Sequence, residues 1–300
     1  MVDRSFTGLY PILSMPFDDQ ERIDIEDLQR EVEFAIISGV DGLGVAMASE
    51  IFKLSERERD VVLKTVVEQA RGRVKIVMHA GAQSTDLARN YSVRAELLGA
   101  DAVMITPPNM FPLPSEEIVV FFKNISEAIS IPIFVQDIEA APVSPELAIK
   151  IVNEARNACY IKVEVAPTPP RIAKAKRIDR DHLIIFGGAG GRALIDELRE
   201  GSVGTMPGCA TPEMFRDVLD AYKSGMRTEA ETILQRHAPL LEIYKESLDH
   251  SYHLTKELLR LRGIFKNTNV RGPTHRPDES HFNSLRTLAH RLHLTNGTIS

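Results

Sequence analysis

Cysteine is scarce in this chain: Cys159 and Cys209 are the two thiols in 300 residues. Two thiols make no disulfide framework, and their surroundings do not suit a metal site. The pair fits a reducing cytoplasm, where the protein is expected to reside. Long apolar runs are missing as well. Nothing approaches the ~18 consecutive apolar residues of a membrane span. The N-terminus carries Asp3 and Ser5 in place of a basic stretch followed by an apolar run, so no signal peptide is expected. Basic residues are not in excess. Lys and Arg number 36 against 42 Asp and Glu, a formal charge of −6, which argues against nucleic acid as the main partner. No spacing of His, Cys and carboxylates suggests a metal.

What is present is enough apolar material, 43% of residues, for one large core. Short apolar runs alternate with longer amphipathic stretches, the signature of strand–helix units and a parallel sheet. Strands are predicted at 9–15, 42–46, 74–78, 102–105, 133–136, 160–164, 183–186 and 204–206. Helices are predicted from about 24 to Gly39, then over 55–71, 84–98, 115–129, 144–155, 169–178, 192–199 and 212–222. Ser55 with Glu58 three residues on reads as a capping box. Leu28, Val32, Ala35 and Ile36 recur at helical spacing, and Gly39 suits a helix C-terminus. Eight such pairs in series predict an α/β fold of the (β/α)₈ barrel type. An open doubly wound sheet is the runner-up, but nothing marks a reversal of strand order. The barrel domain is expected over 1–225. Residues 226–300 read as a helical appendage with a loop near 267–280, and Leu254, Leu258 and Leu261 could pack on the barrel or on another subunit.

Barrel chemistry sits at the C-terminal ends of the strands. The sixth strand ends in Lys162, Val163 and Glu164. Alternation puts Lys162 and Glu164 on one face. A lysine in an apolar barrel mouth loses solvation, which favours its neutral amine and makes it a nucleophile toward carbonyls. A plain Lys162–Glu164 ion pair is the competing reading, and local pattern alone leaves the two level. Gly187 to Gly191 is a glycine-rich run leading toward a helix. It suits either an anion site, including phosphate, or a tight turn, and it lacks the Lys and Ser/Thr of a P-loop. His79 closes the third strand and fits a hydrogen-bonded rim histidine better than a proton shuttle. The histidines of the helical appendage read as solvated. Alternation turns Asp137 away from the lumen.

The segment Gly39-Val40-Asp41-Gly42, IKVEV at 161–165 and GSVGTMPGCATPE at 201–213 resemble the dihydrodipicolinate synthase / N-acetylneuraminate lyase family, in register over roughly 5–225. NVRGP at 269–273 resembles its closing segment. The resemblance implies a barrel, a Schiff base between lysine and pyruvate or another 2-keto acid, and commonly a homotetramer. The Schiff-base lysine maps onto Lys162. The family's carboxylate-binding loop maps onto Met47, Ala48 and Ser49, with Gly187 and Gly188 as further substrate-binding candidates.

The departures bear on mechanism. Where synthases and lyases carry a Gly-Thr-Thr-Gly-Glu-like segment, this chain has Ala46-Met47-Ala48-Ser49-Glu50, so both threonines are gone. The catalytic tyrosine position holds Gln136, a second tyrosine is replaced near Asn109, and Ala141 lies where the synthase arginine would be. A glutamine amide does not titrate near neutral pH and cannot be the base of a retro-aldol cleavage. Dehydration needs instead a carboxyl group that takes the C3 proton and then delivers a proton to the departing hydroxyl. Glu164 is the best placed. PIFVQD together with KVEV resembles the 2-keto-3-deoxy-arabonate dehydratase branch of the family.

The expected protein is therefore a lyase without a cofactor or metal that dehydrates a 2-keto-3-deoxy sugar acid through Lys162, Glu164 and Gln136. It needs neither nucleic acid nor membrane, and is expected to be a homotetramer or homodimer. The alternatives are a pyruvate-dependent aldolase, including the 4-hydroxy-tetrahydrodipicolinate synthase reaction, and a non-catalytic 2-keto acid binding protein.

Overall fold

The computed structural model describes residues 2–179 and 181–295. Its elements run β1 (Gly8–Leu9), α1 (Ile25–Ile37), β2 (Gly42–Val45), α2 (Glu56–Ala70), β3 (Lys75–His79), α3 (Thr85–Leu97), β4 (Ala102–Ile105), α4 (Ser115–Ser126), β5 (Ile133–Asp137) and α5 (Pro145–Glu154). They continue with β6 (Tyr160–Val163), α6 (Thr168–Ile178), β7 (Ile184–Gly187), α7 (Leu194–Arg199), β8 (Gly204–Thr205), α8 (Pro212–Lys223), α9 (Arg227–Glu242), α10 (Leu248–Leu261) and α11 (Glu279–Arg291). The strands form one sheet in the order β1-β8-β7-β6-β5-β4-β3-β2. Serial order, parallel pairing and a helix after each strand make this the (β/α)₈ barrel that the alternation predicted.

Local chemistry explains the helix starts. The side chains of Asp24, Ser55, Ser84 and Ser144 each accept a backbone N–H from the first turn of the helix that follows. Glu58 closes the Ser55 capping box by accepting from the Ser55 N–H at 2.9 Å. Such caps satisfy donors that the first helical turn leaves unpaired, and each contributes about 1 kcal/mol. Gly39, at φ +80°, follows the Ser38 cap that ends α1.

Some boundaries differ from the sequence reading. The predicted strand over 9–15 is regular at Gly8–Leu9 alone, with Ile12 then bridging Gly44 and Gly208. Pro11 and Pro16 have no N–H to contribute to a ladder, so the extended chain makes single bridges there. Helix α4 stops at Ser126, three residues early. Helix α7 begins at Leu194, two residues late, because Ala189, Gly190 and Gly191 take positive φ in a preceding 3₁₀ turn.

Two compact units divide the chain, Met1–Tyr10 with Lys75–Met206, and Pro11–Val74 with Pro207–Ser300. In the first, Phe134 and Tyr160 stack at 4.4 Å, and Phe6, Tyr10 and Phe186 close around them edge-on or tilted. In the second, Leu254, Leu258 and Leu259 of α10 pack with Leu240 of α9 and with Phe282, Leu285 and Ala289 of α11. The appendage helices thus pack largely on one another, with Ala210 joining the cluster, where their spacing alone pointed to the barrel or another subunit. No helix among the described residues is long and apolar enough to cross a membrane.

Candidate active site

Strands β5, β6 and β7 set the site. Gln136 is in register with Lys162, and Lys162 with Phe186. Side chains in register on parallel strands share a face, and residues two apart along a strand share it too. Gln136 and Lys162 therefore sit one layer above the stacked Phe134 and Tyr160. This aromatic layer excludes water from below. Both side chains are buried, Lys162 at 4% exposure and Gln136 at 1%.

Glu164 joins them. Its Oε1 lies 2.9 Å from Lys162 Nζ, and its Oε2 accepts from Gln136 Nε2 at 2.8 Å. The alternation across β6 thus brings Lys162 and Glu164 together, with Gln136 as a third member. The other end of the Gln136 amide, Oε1, is buried and accepts no hydrogen bond among the described residues. A buried acceptor left unpaired is costly, and a hydroxyl or protonated group of a bound molecule would satisfy it. The ion pair of the competing reading is present as well. It is compatible with chemistry, since a carboxylate 2.9 Å away can take the proton that the ammonium must lose to become a nucleophile.

The glycines after β7 have separate physical reasons. A Cβ on Gly188 would lie 2.4 Å from Glu164 Cγ and 3.0 Å from Lys162 Cε, so the close approach requires glycine. A Cβ on Gly187 would lie 1.8 Å from an oxygen of Glu197. Glu197, on α7, is fully buried and accepts from Thr168 Oγ1 at 2.5 Å. Burial raises its pKa to about 7, and the charge of Glu164 pushes the same way. Gly187 is in register with Val163, so this carboxyl lies on the helix side of the sheet. Sequence reasoning missed Glu197. An acidic residue in a short amphipathic helix gives no signal of burial.

Asp137 faces away from the lumen, as alternation predicted. It binds Arg171 of α6 at 2.9 Å and accepts the Val143 N–H at 2.7 Å, pinning the end of β5. His79 is buried, with Nε2 3.5 Å from Thr106 Oγ1, in keeping with a rim histidine.

Met47, Ala48 and Ser49 form a 3₁₀ turn after β2, within the second unit. Met47 and Ala48 are partly exposed, while Ser49 is fully buried. The Ser49 hydroxyl donates to Leu13 O at 2.5 Å and accepts from the Ala46 N–H at 3.2 Å. Its proton is thus already committed to the backbone. Tyr252 Oη donates to Met47 O at 2.9 Å, and Lys256 Nζ bonds Glu50 at 2.5 Å. Helix α10 therefore buttresses this turn, a contact that residues some 205 positions apart do not announce in sequence.

The appendage histidines are not all solvated, contrary to the sequence reading. His250 and His253 are 3% and 5% exposed, because α10 packs its first turns against neighbouring chain. Among the described residues one grouping of three side chains could hold a metal. It consists of Glu246, His250 and His281 and belongs to the second unit.

The chain is similar to known proteins over most of its length. Residues 5–292 match the model of the dihydrodipicolinate synthetase family. An L-2-keto-3-deoxyarabonate dehydratase of Azospirillum brasilense is 30% identical over 273 residues, covering 89% of this chain and 88% of that protein. A 4-hydroxy-tetrahydrodipicolinate synthase of Methanopyrus kandleri is 29% identical, covering 79% and 80%. The crystal structure of dihydrodipicolinate synthase from Rhodopseudomonas palustris superimposes with a TM-score of 0.89 at 25% identity, covering 95% of this chain and 97% of that one. These relatives are enzymes, which sets aside the non-catalytic alternative. The chain belongs to the dihydrodipicolinate synthetase family and is a lyase of that family.

Proposed function

We propose that the protein dehydrates a 2-keto-3-deoxy sugar acid through a Schiff base on Lys162. The observation that carries this reading is the contact chain Gln136–Glu164–Lys162. Lys162 Nζ, once neutral, attacks the C2 carbonyl, and water leaves as the imine forms. The protonated imine acidifies the C3 proton. Glu164 takes that proton, giving an enamine, and then returns it to the C4 hydroxyl as this departs as water. Hydrolysis of the conjugated imine releases product and restores Lys162. Gln136 holds Glu164 with its amide N–H and offers its unpaired Oε1 to a substrate hydroxyl. The substrate carboxylate is assigned to the turn of Met47, Ala48 and Ser49. Because the Ser49 hydroxyl is engaged, the backbone amides of Met47 and Ala48 are the favoured donors. Gly188 is the further substrate-side candidate, since its missing side chain leaves room beside Glu164 and Lys162, and Gly187 is kept with it as its neighbour in the glycine run.

The similarity to the Azospirillum dehydratase supports this reading. The second reading, a pyruvate-dependent aldolase or 4-hydroxy-tetrahydrodipicolinate synthase, draws support from the Methanopyrus relative. It lacks a titrating group at Gln136. The test is NMR analysis of products from 2-keto-3-deoxy pentonates and hexonates. Dehydration product with at most minor pyruvate is expected, and stoichiometric pyruvate would contradict the proposal.

We further assign 1–225 to the catalytic barrel and 226–300 to a helical region, residues 1, 180 and 296–300 lying outside the described residues, and place the enzyme in the cytoplasm as a homotetramer or homodimer. Both cysteines are buried and free, as suits a reducing compartment. Leu97, Met110 and Phe111 are exposed at 79%, 68% and 73%, apolar surface that a second copy would cover. Light scattering at micromolar concentration should give a multiple of the 33.4 kDa chain mass. A monomer mass would contradict the assembly.

A further inference from the structure

The first turns of α10 and α11, with Glu246 just ahead of the α10 cap, bring two imidazoles and a carboxylate to one point. Ser247 caps α10 by accepting the His250 N–H at 3.1 Å, which fixes His250 in the first turn. Asp278 caps α11 and accepts the N–H groups of Ser280 and His281. Glu246 Oε2 then lies 3.1 Å from His250 Nδ1 and 2.9 Å from His281 Nε2, and the three donor atoms all fall within 4.8 Å of one another. The His250 and His281 rings meet edge-on with centroids 5.3 Å apart, and the His275 ring is 5.1 Å from His250.

A simple ion pair does not account for this. A protonated His281 sandwiched between Glu246 and Asp278 would satisfy itself. It would leave His250, which is 3% exposed and whose Nδ1 makes no hydrogen bond despite its closeness to Glu246. A buried, unpaired ring nitrogen aimed at a carboxylate already shared with a second imidazole is a donor set for a cation. The distances fit. Zinc–ligand bonds of about 2.0–2.1 Å place tetrahedral ligand atoms roughly 3.3 Å apart, a few tenths of an ångström from two of the observed spacings. The surrounding shell also fits. Asp278 Oδ1 lies 2.8 Å from His281 Nδ1. A carboxylate there holds the proton on Nδ1, orients the ring and leaves the Nε2 lone pair for a metal. The backbones carrying the ligands are anchored in the apolar core through Leu254, Leu258, Phe282 and Leu285.

We propose that Glu246, His250 and His281 form a binding site for a divalent transition-metal ion, Zn²⁺ in particular, that ties the start of α10 to the start of α11. Two imidazoles and a carboxylate suit zinc, and Co²⁺ or Ni²⁺ by the same chemistry. A fourth position is open to water or to His275. The site uses no residue of the proposed active site, so its fate is separate from the dehydratase reading.

The test uses the full-length chain without an affinity tag, stripped with chelator. Zinc chloride is titrated calorimetrically, and metal is counted by mass spectrometry after desalting. One zinc per chain is expected. Glu246→Gln and His281→Gln should each weaken binding by ~10-fold or more, the scale seen when even the residues behind the ligands are lost. Co²⁺ should give the visible bands of a four- or five-coordinate ion in the parent and lose them in His250→Gln/His281→Gln. Glu246 is exposed, so Glu246→Gln keeps the test decisive if a buried histidine variant fails to fold. No zinc above background in the parent, or unchanged stoichiometry and affinity in Glu246→Gln and His281→Gln, would overturn the proposal.

Discussion

Glu164 holds Lys162 at 2.9 Å from the next lumen-facing position of the same chain segment. This contact is the simplest device a strand offers for pairing a nucleophilic amine with a carboxylate, since alternation does the positioning. What lifts it above a surface ion pair is its setting. Lys162 is 4% exposed, and the second carboxylate oxygen is held by Gln136.

If Glu164 is the proton carrier, Glu164→Gln separates imine formation from turnover. The imine uses Lys162, so adduct formation with a 2-keto acid should persist. Turnover of the 2-keto-3-deoxy acid should fall by ~10²-fold or more, the usual scale for losing a general acid/base. Rapid-quench mass spectrometry of the adduct beside steady-state rates reads both. Unchanged turnover would remove Glu164 from the mechanism.

Gly188→Ala tests how closely the pair is packed. The backbone at Gly188 has negative φ, so alanine brings no left-handed strain, and its effect comes from the added methyl meeting Glu164 Cγ at 2.4 Å. The variant should fold, judged by circular dichroism, and lose activity on the order of 10²-fold, the scale of a misplacement of about 1 Å. A fully active Gly188→Ala would mean that Glu164 is not held where its role requires.

Glu197 carries the pH prediction. Its folded pKa, raised to about 7 by burial, exceeds the ordinary 4.5. Below pH 4.5 folded and unfolded chains both keep the proton, and the contribution to stability is complete. Between 4.5 and about 7 the unfolded chain releases the proton while the folded chain retains it, so this contribution declines as pH rises. The shift corresponds to on the order of 3 kcal/mol. Glu197→Gln, whose amide oxygen can still accept from Thr168, cannot titrate. Its melting temperature relative to the parent should therefore climb from pH 4.5 to 7.5. Parallel melting curves across that range would contradict the assignment.

Sequence carried the architecture because its signals are local. Ser55 with Glu58 marks a helix start within four residues, and the alternation of Lys162, Val163 and Glu164 sets a shared face within three. The pieces that escaped are tertiary. Glu197 reaches Gly187 and Thr168 through the packing of α7 on the sheet. The turn at 47–50 is fastened by Tyr252 and Lys256 from far along the chain. The cluster of Glu246, His250 and His281 exists because α10 and α11 pack together, and only the four-residue step from Glu246 to His250 is visible in one dimension. Expecting solvated histidines there follows composition, while burial follows packing. The engagement of Ser49 is partly tertiary as well: its hydroxyl donates to Leu13 O, 36 residues away, while accepting the Ala46 N–H within the turn.

The central claim is the covalent one, and borohydride trapping tests it most directly. Incubation with pyruvate and sodium borohydride should add one reduced adduct to the intact chain, and peptide mapping should place it on Lys162. Lys162→Ala should show none. An adduct that persists in Lys162→Ala, or a parent chain that pyruvate and borohydride leave at its original mass, would contradict the account.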